Sequence, residues 1–337
     1  MSKTKIEWCD HVLNVITGCS PISDGCKHCF ANSIATRFWG DRKFSDIQFR
    51  PERLDALMKM KKPRRIFLNS MGDMFHKDVP FDWLDKLFWT IACNAQWNNP
   101  RIREYHHTFM ILTKRPERMA EYLSLDDGNR REWFDVLVKS GHIRDEPYLP
   151  NLWQGVTCEN QATADERIPY LLKTPAAVRF LSLEPLLGEI DINKYVRKSN
   201  TRHMQASVEG MLRNKRFDCF DRDDGTHMDE REAEDNLWKL HSEGVKFISC
   251  SRECVGFSPE TGCPGHTNPT VSWVIIGSET GAGYRPCKLE WIEDIVKQCK
   301  SAGVPVFVKS YQNEKGIVIK DFDQFPESIK FREFPNE

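Results

Sequence analysis

The chain has 337 residues, 40% hydrophobic and 29% charged, with a formal net charge of -1. That length supports one large α/β domain or two small ones with a substantial core, and the near-neutral charge excludes a global nucleic-acid footprint, leaving only local patches for such contact. No run of about 18 apolar residues occurs, which excludes a transmembrane helix and a membrane partner; the segment from Met1 to Trp8 lacks the apolar core of a secretory signal, so a reducing cytoplasm is expected, the host's if the chain is phage-encoded.

In chain order, short apolar runs predict buried parallel strands at 12–17, 65–69, 108–113, 152–157, 178–183, 272–277 and 304–309, because continuous apolar runs suit strands covered on both faces. Helical patterns separate them. One starts at Pro80, with Trp83, Leu84, Leu87, Phe88 and Ile91 at helical spacing; others start at Pro116 and cover 162–173 and 289–302, the last stopped by Gly303. Strand–helix alternation implies right-handed βαβ units. The expected fold is α/β, a parallel, partial TIM-type barrel of six to seven β/α units. Residues 1–188 supply the first part of the core, 270–312 its last units and 313–337 a peripheral C-terminal extension. The stretch 189–269 breaks the rhythm with charge runs at 213–216 and 221–224, and reads as a Cys-rich insertion.

Polar residues follow each strand: Thr17-Gly18-Cys19, Ser70-Met71-Gly72-Asp73, Lys114-Arg115, Glu159-Asn160, Glu184-Pro185, Ser278-Glu279 and Lys309. Parallel α/β folds build their sites at the C-terminal strand edge, so these residues are expected to share one site. Asp73 and Asn160 have helix caps as their alternative reading.

Twelve cysteines is a high count, and clustered cysteines in a reducing compartment suggest metal or catalysis before disulfides. Those at 9, 93, 158, 219, 287 and 299 are scattered and read mostly as buried thiols. Cys19, Cys26 and Cys29 form a C-x6-C-x2-C run just after the first strand. Cubane clusters usually take four cysteines; three leave one iron open, as a metal needs in order to bind substrate. S-Adenosylmethionine (SAM) can chelate that iron through its amino and carboxylate groups, and electron transfer into the sulfonium releases a 5′-deoxyadenosyl radical. A zinc site completed by Asp24 and a redox thiol pair are the alternatives.

The run Lys5-Ile6-Glu7-Trp8 through Cys29-Phe30 resembles a phage and prophage family long of unknown function. Further matches are the stretches 69–76, 112–119, 155–160, 182–188 and 273–281, and Phe307-Val308-Lys309. The family is similar to the radical SAM enzymes, with six residues in the first cysteine gap where the common pattern has three. The resemblance implies a [4Fe-4S] cluster on Cys19, Cys26 and Cys29. It implies SAM bound by Ser70, Gly72 and Asp73, the last facing the ammonium, and by Glu159 at the ribose. Lys114, Glu184 and Lys309 become the catalytic candidates, with Lys114, Arg115 and Lys309 available to a carboxylate or phosphate. Family members encoded by phages include isomerases of thymidine hypermodification, a route to restriction evasion, which move an amino-acid linkage from nitrogen to carbon. The implied partners are modified DNA or a nucleotide and an electron donor such as flavodoxin.

A second group, Cys250, Cys254, Cys263 and His266, lies among glycines and prolines. A structural zinc site is one reading, an auxiliary iron–sulfur cluster and unligated thiols the others. The basic runs 59–65 and 197–203 are candidate phosphate contacts or solvated faces. Trp8, Trp39 and Phe75 could stack on a flipped base or pack in the core. Two further function classes compete with the isomerase: a zinc-stapled nucleic-acid-binding protein without catalysis, and a radical SAM lyase that repairs a damaged base.

Overall fold

The structure, a computed structural model, describes residues 2–4, 6–60, 62–94, 107–123, 133–135, 149, 151–196, 270–281 and 283–335. Its strands in chain order are β1 (Ser2–Lys3), β2 (His11–Leu13), β3 (Ile16–Thr17), β4 (Gln48–Phe49), β5 (Arg65–Leu68), β6 (Thr108–Thr113), β7 (Leu152–Thr157), β8 (Val178–Leu183), β9 (Trp273–Gly277), β10 (Val306–Gln312) and β11 (Val318–Ile319). The α-helices are α1 (Phe30–Phe38), α2 (Asp55–Met58), α3 (Phe81–Asn94), α4 (Pro116–Leu123), α5 (Gln161–Lys173) and α6 (Leu289–Ala302).

One sheet runs β1-β2-β5-β6-β7-β8-β9-β10-β11. Its strands are parallel from β2 to β10, and β1 and β11 add antiparallel at the two edges. The parallel strands are near-continuous apolar runs, buried on both faces, and this is why they were legible. One face meets α3, α4, α5 and α6 in the larger core cluster. The other gathers Trp8, Val12, Phe67, Met110, Trp153, Phe180, Trp273 and Phe307. Val12 of β2 and Phe307 of β10 come from opposite ends of the strand order, so the sheet is curled around this aromatic plug.

The curl does not close into a barrel among the described residues, because both edges are already occupied. β1 covers β2. The free edge of β10 takes the C-terminal tail, through Val308 N–H to the Phe331 carbonyl at 2.8 Å and Glu333 N–H to the Val306 carbonyl at 3.0 Å. Such covered edges blunt strand addition. The tail is therefore not peripheral: Phe334 packs on Trp273 with centroids 5.4 Å apart, Arg65 lies over its ring at 3.9 Å, and Arg332 reaches Glu7 at 2.8 Å.

The first expected strand divides in two. Asn69, at the end of β5, takes a left-handed φ of 62° and its side-chain oxygen accepts from Val15 N–H at 2.9 Å and Ile16 N–H at 3.0 Å. That bond pulls the chain off the main sheet, and β3 pairs antiparallel with β4 instead. The last parallel strand runs on to Gln312 rather than ending at Lys309.

Residues Met1–Ile143, Pro147–Lys198 and Val271–Glu337 form one compact unit, and Arg144–Glu146 with Ser199–Thr270 a second. Ile190, Ile192, Tyr195 and Val196 belong to the core of the first. The second cysteine group, Cys250, Cys254, Cys263 and His266, and the basic run 197–203 lie outside the described residues. No helix among the described residues is long and apolar enough to cross a membrane.

Candidate functional site

The C-terminal ends of the parallel strands do meet at one edge, and what they hold there is the cysteine loop. The loop leaves β3 at Gly18 and runs to Cys29, the N-cap of α1. Its start is stitched to the segment after β5: Gly18 N–H donates to the Met71 carbonyl at 2.9 Å, and Gly18 and Gly72 form a parallel bridge. A β-carbon on Gly72 would sit 2.7 Å from the Gly18 carbonyl oxygen, so this approach requires glycine.

Three carboxylates from three strand ends clamp the loop. Asp73, after β5, holds its first third. Asp73 Oδ1 accepts from Phe75 N–H at 3.0 Å and the Thr113 hydroxyl at 2.7 Å, while Oδ2 accepts from Lys114 N–H at 3.1 Å and Arg115 at 3.0 Å. The Arg115 guanidinium then donates to Cys19 Sγ at 3.4 Å and to the Ser20 carbonyl at 2.7 Å. Ser20 Oγ meets His76 Nε2 at 2.6 Å, and Nδ1 of that ring accepts from Asp78 N–H at 3.2 Å. The ring is thus the neutral tautomer with its proton on Nε2, in keeping with burial, and then Arg115, lowering its pKa.

Glu159, after β7, holds the middle. It is fully buried; Oε1 accepts from the Ser23 hydroxyl at 2.8 Å and faces Lys114 Nζ at 3.4 Å, and Oε2 accepts from Arg167 at 3.0 Å. Burial alone would raise this carboxyl, but Lys114, Arg167 and the Ser23 hydroxyl together bring it below the usual range. Glu279, after β9, holds the last third. Arg285 grips both its oxygens, at 2.9 Å and 2.5 Å, and its second terminal nitrogen also donates to the Asp24 carbonyl at 3.0 Å. His28 Nδ1 lies 3.1 Å from Glu279 Oε2. Burial works against ionisation, yet the Arg285 hydrogen bonds bring Glu279 down to about 2.

This geometry gives several of the expected residues partners within the chain. All four acceptor positions of the Asp73 carboxylate are filled by its own chain, so it aims Arg115 rather than awaiting an ammonium. The Ser70 hydroxyl donates to Asn14 Oδ1 at 3.2 Å, and Gly72 serves the close contact with Gly18. Arg115 is committed to the loop and not to a carboxylate or phosphate. Lys114 joins Glu159 instead of standing free. Glu184 and Lys309 form their own pair at 2.6 Å, each about a fifth exposed at 22% and 23%, and both keep hydrogen-bonding capacity. Of the basic run at 59–65, Lys59, Lys62 and Arg64 precede β5 and Arg65 begins it, at the end of the strand opposite Ser70–Asp73. Trp8 and Phe75 are core residues, and Trp39 is covered by the Arg42 guanidinium at 3.9 Å. Asn160 is a capping-box residue of α5.

Cys93, in α3, is part-exposed and lies outside the loop. Cys9, Cys158, Cys287 and Cys299 are buried, and burial pushes each thiol up, to about 12 for Cys9, Cys287 and Cys299. Such thiols are inert. Cys19, Cys26 and Cys29 are part-exposed. Arg167, Arg285, Ser23 and Asn69 were not singled out from the sequence, and His28 is poorly placed in sequence to join both neighbouring cysteines on one zinc. Arg167 did leave a signal, a charge on the Ala164, Ile168 and Leu171 face of α5.

A profile described as "Protein of unknown function (DUF5131)" matches residues 3–322. The chain belongs to that family. No curated protein matches this DUF5131 member. Among solved structures, spore photoproduct lyase in complex with dinucleoside spore photoproduct is similar at 11% identity and a TM-score of 0.40, over 91% of this chain and 78% of that one. A point mutant of the same lyase is similar at 9% identity and a TM-score of 0.39, over 92% and 79%.

Proposed function

We propose that this chain is a radical SAM enzyme with a [4Fe-4S] cluster on Cys19, Cys26 and Cys29, and that it rearranges an amino-acid-modified thymidine in DNA. The observation that carries the reading is the loop itself: three part-exposed thiols, set at the C-terminal edge of a parallel sheet and clamped by carboxylates from three different strand ends. Donor type supports the fit: three thiols in one loop are the ligand set that Fe–S cubanes take. Cys29 also sits at the N-cap of α1.

When bound, the cluster and SAM supply a 5′-deoxyadenosyl radical able to take hydrogen from carbon. The chain's own residues do the rest. Asp73, Glu159 and Glu279 hold the loop rigid, as a preorganised site requires. Lys309 uses one of its three N–H bonds on Glu184, leaving two for an anion, while Glu184 keeps an oxygen free for a donor. That pairing suits an amino-acid substituent: its carboxylate to Lys309, its amine to Glu184. The α-carbon between them is the atom from which hydrogen is to be taken. The family resemblance in the motifs around Cys19, Asp73, Lys114, Glu159, Glu184 and Lys309 supports the DNA-isomerase assignment, with a flavodoxin-like protein as electron donor.

Deuterium on the α-carbon of the aminoacyl group of modified DNA tests the reaction. An isomerase of this kind moves label into 5′-deoxyadenosine or SAM and yields a product of unchanged mass apart from exchange. An intact cluster that moves no label from any aminoacylated DNA sinks the isomerase assignment and leaves the cluster assignment standing.

A further inference from the structure

We infer that Arg115 is a positioning residue that sets the reduction potential of the cluster, by donating a charged hydrogen bond to the Cys19 sulfur under the aim of Asp73. The inference rests on the cluster assignment above. One terminal nitrogen of Arg115 lies 3.0 Å from Asp73 Oδ2 and 3.4 Å from Cys19 Sγ, while the other is fixed by the Ser20 carbonyl at 2.7 Å. Both ends of the planar fork are therefore pinned, and its direction toward the sulfur is not free to drift. Asp73 is in turn pinned by Thr113 and by two backbone N–H groups besides that of Arg115's own side chain.

The other two thiols have no such partner. Ser23 Oγ is 3.9 Å from Cys26 Sγ, but its proton goes to the ionised Glu159 at 2.8 Å. Among the described residues, no cation donates to Cys26 or Cys29. The loop thus carries its one charged sulfur contact at Cys19, an asymmetry that three ligands of equal duty would not need. Reduction adds one electron to the cluster from an external one-electron donor and breaks no bond. Hydrogen bonds to sulfur and nearby positive charge stabilise the more negative, reduced form and raise the potential.

The test uses the full chain, reconstituted anaerobically with iron and sulfide and titrated with dithionite without SAM, reading the reduced cluster by electron paramagnetic resonance. Arg115→Gln removes the charge. At a fixed potential its reduced-to-oxidised ratio should fall about tenfold, a midpoint lower by about 59 mV for one electron. Arg115→Lys keeps the charge but loses the fork, and should fall about threefold. A Gln variant that loads iron like wild type and shows an unmoved midpoint overturns the inference. Where the Gln variant does not fold, the Lys variant decides alone, and an unmoved midpoint there overturns it equally. Wild-type protein that binds no cluster overturns the cluster assignment and this inference with it, a result distinct from a loaded cluster of unmoved potential.

Discussion

Gly25 lies between two of the loop cysteines and against Glu159. A β-carbon built on it would stand 2.5 Å from Glu159 Cγ and 2.7 Å from Cδ, with Oε1 closer still, against an ordinary contact of 3.4 Å or more. Something must move by about 1 Å, and two candidates compete. Glu159 is fully buried and tied to Arg167, itself 2% exposed. Displacing it leaves a buried cation unpaired, at about 3–5 kcal/mol. Overpacking that the surroundings absorb costs about 1–3 kcal/mol. The loop, part-exposed, is the cheaper element to shift. Gly25→Ala should therefore lower the thermal midpoint by only a few degrees, at roughly 2 °C per kcal/mol, while misplacing Cys26 enough to lose most iron loading. Gly155→Ala is the control, since its β-carbon would meet the Phe180 ring at 2.7 Å or less, deep in the aromatic plug. It should lose comparable stability and still load iron. The assays are a circular-dichroism melt and iron analysis after reconstitution. A Gly25→Ala protein that loads as much iron as wild type would refute the claim that Glu159 fixes the loop.

Three other outcomes follow from the same geometry. Glu279 titrates at about 2 when folded against 4.5 in its ordinary state, so its stabilisation is whole above pH 4.5 and is lost as pH falls from there toward 2. That drop corresponds to at most about 3 kcal/mol, and screening at the part-exposed Arg285 lowers it to about 2; Glu279→Gln should flatten urea-melt stability between pH 5 and pH 3 (roughly the span set by the folded and unfolded values), and an unchanged slope contradicts the pairing. Asn69→Gly removes the left-handed strain but orphans the Val15 and Ile16 N–H groups, so it should still destabilise by about 2 kcal/mol or more, measured by urea denaturation; a stabilised variant means that the side-chain bonds are not what splits the first strand. Lys309→Met should leave iron loading and SAM cleavage to 5′-deoxyadenosine intact while abolishing turnover of modified DNA; loss of the cluster instead would place Lys309 in its support.

The parallel strands were legible because burial on both faces writes itself as a run of apolar residues: 108–113, 152–157 and 178–183 match the observed β6, β7 and β8 residue for residue. The alignment of polar residues at strand ends was legible for the same reason, since it needs only strand direction. What each of those residues touches was not. Asn69 acts on Val15 and Ile16 across more than 50 residues of sequence, so the split of the first strand had no local sign. Asp73 shows as an acid after a strand, yet its donors come from positions 75, 113, 114 and 115 and are visible only in three dimensions. Its part in holding the cysteine loop through Arg115 had no local sign in the sequence. The tail resisted reading for another reason. Residues 331–335 lack strand periodicity, and their hold comes from Phe334 and Arg332 reaching the plug and Glu7.

The cluster is the centre of the account, and iron counting tests it most directly. After anaerobic reconstitution the full chain should carry about four irons, turn brown and cleave SAM to 5′-deoxyadenosine under dithionite. Cys19→Ala, Cys26→Ala and Cys29→Ala should each lose that iron without unfolding. Wild-type protein that takes up no iron, or a triple variant that keeps about four, would contradict it.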